Sequence, residues 1–196
     1  AQYNMAVGTT ALDAITTGDN NVAIGYNAGT ATTTGNNHVM VGYLAGAATV
    51  DAAGNTLVGS NAGTAITSSG ANVAVGYNAL LANTTQGNNT AIGANTLKTN
   101  VLGSGNTAVG SSALFTLNPA GTGQMDNTAI GLESGRLMTT GTKNTLVGSQ
   151  SGDALTTGTG NVAIGYDALS TEQADDGNVA IGYEALKTQN GGDLSV

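Results

Sequence analysis

Apolar and polar positions along this chain recur with one fixed period. Asn21-Val22-Ala23-Ile24-Gly25-Tyr26 returns unchanged at Asn161 to Tyr166 and again at Asn178 to Tyr183. Looser copies end at Gly8, Gly42, Gly59, Gly76, Gly93, Gly110, Gly131 and Gly148, which with Gly25, Gly165 and Gly182 makes eleven. Nine of the ten steps between these glycines equal the separation of 17 from Gly8 to Gly25, and the tenth, Gly110 to Gly131, is longer by four. So regular a period predicts a solenoid in which each repeat is one coil.

With the terminal glycine numbered 0, position −1 is Val or Ile in every copy, the residue types of a strand interior. Position −3 is Val, Thr or Met5 and shares a face with −1, because strand side chains alternate with period two. Position −2 points the other way and is Ala except for Met40, Leu57 and Leu146. A strand apolar on both faces needs cover on both. The expectation is that −1 and −3 fill the coil, while −2 faces a second copy of the chain.

Positions +3 to +7, as in Ala11-Leu12-Asp13-Ala14-Ile15, predict a second short strand or tight apolar turn. Position +4 within it is Leu in six copies and Gly in five. Positions +8 to +12 are rich in Thr, Gly, Asn and Asp, which is loop chemistry. Every charged residue falls at +2, +5, +7 or +9 to +12, so −4 to +1, +3, +4 and +6 are expected to be buried. The prediction is an all-β parallel β-solenoid of eleven coils across residues 1–196. It carries one loop insertion near 118–125, where the only proline, Pro119, suits an outward loop.

Composition agrees with a thin structure: 31 Gly, one Phe and no Trp leave little to fill a thick interior. Net charge is −8 with only four cations, so nucleic acid and anionic membrane surfaces are poor partners. No apolar run is long enough for a spanning helix, and the absence of Cys excludes disulfides and thiolate metal sites. The ends, Ala1 and Asn190-Gly191-Gly192, carry no distinct cap, which predicts a segment of a longer fibre.

Candidate chemistry is sparse, and no catalytic, cofactor or metal residue stands out. Position −4 is Asn in ten copies, including Asn21, Asn55, Asn72, Asn89, Asn106, Asn127, Asn144, Asn161 and Asn178, and stacked amides predict a structural ladder. His38 is the exception, expected as a substitution within that ladder. Tyr26, Tyr43, Tyr77, Tyr166 and Tyr183 share position +1 and are expected to pack or contact another subunit. With Pro119, the first three are the candidate contact surface. The acids Glu133, Asp167 and Glu184 share +2 and are expected on a solvated face. Thr pairs at +8 and +9 admit ice binding as a minor alternative, weakened where Val50-Asp51 and Val101-Leu102 interrupt the rows.

The motif Asn-x-Val/Thr-Ala-Ile/Val-Gly, followed by a small or aromatic residue and then Ala, resembles the head repeat of YadA-type trimeric autotransporter adhesins, a repeat also found in phage tail fibres. The resemblance covers nearly the whole chain. It implies a left-handed parallel β-roll, three chains about a common axis, and a cell-surface or virion fibre that binds a host protein or glycan. The usual coil of that family is three positions shorter than the coil of this chain, so the family's receptor-binding surface does not carry over. The expected function is a fibre or adhesin segment that spaces and displays attachment sites, or a stalk that only provides length.

Overall fold

Each copy of the motif forms one three-residue strand, and consecutive strands stack in parallel. The computed structural model describes residues 1–171 and 173–188. The loop expected at Asn190-Gly191-Gly192, together with Glu172 and Asp193, lies outside the described residues. One sheet holds eleven strands: β1 (Met5–Val7), β2 (Val22–Ile24), β3 (Val39–Val41), β4 (Thr56–Val58), β5 (Val73–Val75), β6 (Thr90–Ile92), β8 (Thr107–Val109), β10 (Thr128–Ile130), β11 (Thr145–Val147), β12 (Val162–Ile164) and β13 (Val179–Ile181). Every neighbouring pair is parallel and in register with its repeat, as in Ala23 opposite Met40 and Ala129 opposite Leu146. A two-stranded sheet joins β7 (Gly103–Ser104) to β9 (Gly123–Gln124).

Of the two forms expected for the segment at +3 to +7, a second strand or a tight apolar turn, the structure has the turn. In every coil the residues at +2 and +4 have positive φ, as at Asn78 (54°) and Leu80 (53°), and no strand is found there among the described residues. Two left-handed residues separated by one cannot lie in an extended strand; they fold the chain back over itself. Asn and Asp tolerate that region better than most residues, which explains Asn at +2 in four coils. The six leucines at +4 adopt it too, held there because their side chains fill the coil.

The two faces of the strand are the reverse of the sequence expectation. Position −2 is interior: Ala23, Met40, Leu57, Ala74 and Leu146 are fully buried. Positions −1 and −3 point outward, with Ile24 and Val39 each 38% exposed and no residue of either column buried. The inversion follows from the lumen's width. One coil is too thin to hold a branched side chain from every strand, so Ala faces the interior and Val or Ile faces out. The charge-free columns therefore mark an uncharged surface as well as a core.

What fills the lumen is a complementarity between −2 and +4. Where −2 is large, the +4 residue of the same coil and of the coil before is Gly: Met40 lies against Gly29 and Gly46, Leu57 against Gly46 and Gly63, and Leu146 against Gly135 and Gly152. These contacts account for all five +4 glycines. Where the neighbouring −2 residues are both Ala, as Ala74 and Ala91 are around Leu80, +4 is Leu. Close packing sets this rule, since two large groups cannot share the space.

The extra residues of the long coil lie on its loop side. Asn118 keeps the ordinary separation of 17 from its partner Val101, Gly123 pairs with Gly103 at a separation of 20, and Thr128 pairs with Thr107 at 21. Three residues enter before β9 and one after it, so the main sheet runs through unbroken. Pro119, expected to point outward, is buried against the coil, while Ala120, Gly121 and Thr122 form the exposed tip. The missing N–H costs nothing at a position outside the ladder, and burying the apolar ring is favourable.

Candidate functional site

The −4 column ties the coils together through backbone groups. From Asn4 to Asn161, each Asn side chain there accepts, through Oδ1, the N–H of the −4 residue one coil later: Asn21 from His38 at 2.9 Å, Asn55 from Asn72 at 2.9 Å, Asn144 from Asn161 at 2.9 Å. Most also donate through Nδ2 to a carbonyl in the loop of the same coil, as Asn21 does to Gly35 and Asn127 to Gly141, each at 2.8 Å. From Asn89 to Asn161 the amides also bond to one another, at 3.1 to 3.2 Å. Within the described residues of this column, only Asn4 is not buried. Asn suits the position because one short side chain offers an acceptor and a donor together.

His38 reproduces both bonds. Its Nδ1 accepts from the Asn55 N–H at 3.2 Å, and its Nε2 faces the Ala52 carbonyl at 2.9 Å, which places the proton on Nε2. Burial holds its pKa below the ordinary value, against the pull of the Ala52 carbonyl. Protonation would set a second N–H against the Asn55 N–H. The unfolded His titrates near about 6.5 and the folded one lower, so stability is complete above about pH 6.5 and falls as pH drops toward the folded value. His38→Asn is expected to flatten this part of the pH dependence of melting, by about 1 kcal/mol for each unit of pKa depression. Equal acid sensitivity in parent and variant would refute the assignment.

The acids of the +2 column are partnered. Glu133 accepts from Gln150 at 3.3 Å and lies 3.8 Å from Arg136. Lys187 bridges Asp167 at 2.9 Å and Glu184 at 2.8 Å, and these two carboxylates raise the pKa of its ammonium. Nearby Asp153 is pushed up by burial. In the same column Asn61, Asn78 and Asn95 form a second amide ladder, with bonds of 3.0 and 3.2 Å. Sequence reasoning missed it, although Asn at +2 in three successive coils was the available signal. Among the described residues, no group of His, Cys, Asp or Glu is close enough to hold a metal ion.

The surface with a distinct character is the outer face of the eleven-stranded sheet. Columns −3, −1 and +1 make up this face, and none of their residues is charged or buried. Tyr26, Tyr43 and Tyr77 stand on it, each about half exposed, and so do Tyr166 and Tyr183. Tyr26 stacks on Tyr43 with ring centroids 5.6 Å apart, and Tyr166 on Tyr183 at 5.5 Å. Eleven rungs about 4.8 Å apart and three outward columns give a strip of about 50 Å by about 15 Å. The +8 threonines, in contrast, turn their hydroxyls onto the carbonyl of the next coil, as Thr16 does to Thr33 and Thr139 to Thr156. That removes them from any outward array. No protein-family model, no curated protein and no solved structure matches this chain.

Proposed function

We propose that this chain is a rod-like segment of a homotrimeric fibre, on a cell surface or a virion, whose physical task is to space and display attachment sites for a host protein or glycan. The observation that supports the reading best is the uncharged sheet face. Parallel sheets are ordinarily covered on both sides, and this uncharged strip of roughly 700 Å² is lined by Val or Ile along the whole of column −1. It is close to the ~800 Å² per partner of a stable interface. A second copy of the same chain is the occupant that this face suits, since it would meet a surface equally free of charge. The number three and the extracellular setting come from the resemblance of the repeat.

The test is to place a charge in the strip. Val58→Lys and Ile92→Lys are both tolerable in a free coil, where these side chains reach water. Each is expected to leave the β circular dichroism spectrum intact and to convert an assembled species into single chains by analytical ultracentrifugation. A parent chain that sediments as a monomer, or variants that assemble as the parent does, would reject the reading. A second reading is favoured by one observation: Thr56, Thr90, Thr107, Thr128 and Thr145 occupy −3 on this flat face beside Val or Ile at −1. Such an array suits an ice surface if the face stays open, and thermal hysteresis from a monomeric chain would replace the fibre with it.

A further inference from the structure

We infer that the tyrosine doublets at the two ends of the sheet face set the axial register between copies of this chain. The inference rests on the assembly reading above. Position −1 is Val or Ile in every coil and −3 is almost always Val or Thr, so these columns look the same after a slip of one coil. Such a slip would lose only the contacts of the end coils. A degenerate β face of this kind specifies its register weakly.

Column +1 is not degenerate. Its large residues are Tyr26, Tyr43, Tyr77, Leu132, Tyr166 and Tyr183, and Ser60, Ala94, Ser111 and Ser149 are the low points between them. Each doublet is a continuous ridge two coils long, because its rings stack nearly parallel, at 11° for Tyr26 on Tyr43 and 17° for Tyr166 on Tyr183. Side by side at equal height, two copies bring all six large residues level. A slip of one, two or three coils aligns only two, two or three of the six. Closed rotational assemblies also need equal heights, since a stagger repeated from copy to copy grows into an open helix. The ridges therefore act as keys that make the unstaggered ring the preferred arrangement.

The chain has no cysteine, so Ser68→Cys, in an exposed loop column away from the face, gives a single spin-label site. Pulsed electron resonance on the assembled parent should show one narrow distance between copies. Removing both doublets (Tyr26, Tyr43, Tyr166 and Tyr183 each to Ser) should add distances that reflect staggers in steps of about 4.8 Å, whereas moving one key in every copy (Tyr43→Ser with Ser60→Tyr) leaves all six large residues level at equal height and should keep the single narrow distance. Sedimentation and melting should stay near those of the parent, because the rings are exposed and the −1 and −3 columns remain. A single unchanged narrow distance in the variant without doublets would overturn the inference, as would staggers in the exchange variant or a broad distribution in the parent. A monomeric parent would instead bring down the assembly reading on which it rests.

Discussion

Gly59→Ala is expected to unfold the coils around it and to lower stability by more than about 3 kcal/mol. The added Cβ would lie 2.4 Å from the carbonyl oxygen and 2.7 Å from the carbonyl carbon of Gly76. Both are backbone atoms fixed by the ladder, so the neighbour has nowhere to move. The conformation is as prohibitive as the space: φ at Gly59 is 135°, and position 0 lies between 128° and 141° in all eleven coils. Gly54→Ala is the control. Its φ is also positive, at 70°, but a Cβ there meets nothing within 4 Å, and Ala71 already occupies the equivalent position with φ 57°. Thermal unfolding followed by circular dichroism should show a large loss at Gly59 and a smaller one at Gly54, about 1 to 2 kcal/mol for a left-handed Ala without a clash. Comparable melting of the two variants would show that stacking distance does not impose glycine.

The second large effect is a pair that fails singly and succeeds together. Leu146→Ala should cost about 2 to 5 kcal/mol, since it empties the lumen beside two glycines. Gly152→Leu alone should also be severe, because its Cβ would come within 2.8 Å of Leu146 Cδ2. The three atoms nearest to a Cβ at Gly152 all belong to Leu146, and Leu is at home at +4 with φ between 48° and 54° in six other coils. The double variant converts this coil to the Ala-and-Leu type of Ala163 and Leu169 and should recover most of the loss. A double-mutant cycle measures the coupling directly. Additive penalties would mean that the −2 and +4 residues do not share one space.

The same pair shows how much of the architecture is legible in the sequence. Period, strand position and loop side follow from the spacing of Gly and from the Val or Ile before it. The direction of the strand does not follow, because a small apolar residue and a branched apolar residue are equally acceptable inside; only the lumen's width decides, and the large residues at +4 leave room for little more than Ala at −2. The turns at +2 and +4 are hidden by leucine, whose left-handed backbone no propensity anticipates. At −4 the residue type does indicate a ladder, but not that each amide reaches to backbone groups on two sides. Pro119 is misplaced because loop composition says where a chain leaves the ladder and not whether it folds back on the coil.

The insertion and the tyrosine column carry a related lesson about function. A repeat announces what is the same in each coil, while recognition depends on what differs. Periodicity therefore locates the face and conceals the uneven +1 column on it. His38 is the reverse case: a break in the Asn column that the structure places in the same hydrogen bonds as its neighbours.

The hydrogen bonds of the strand ladder and of the −4 column join each coil to the next along the rod. A pull on the ends therefore loads these connections in series, and they give way in order from an end. Each coil released frees a length of roughly 60 Å of extended chain. A solenoid loaded along its axis is therefore expected to let out chain coil by coil, so that a sudden load is dissipated where a stiffer rod would transmit it.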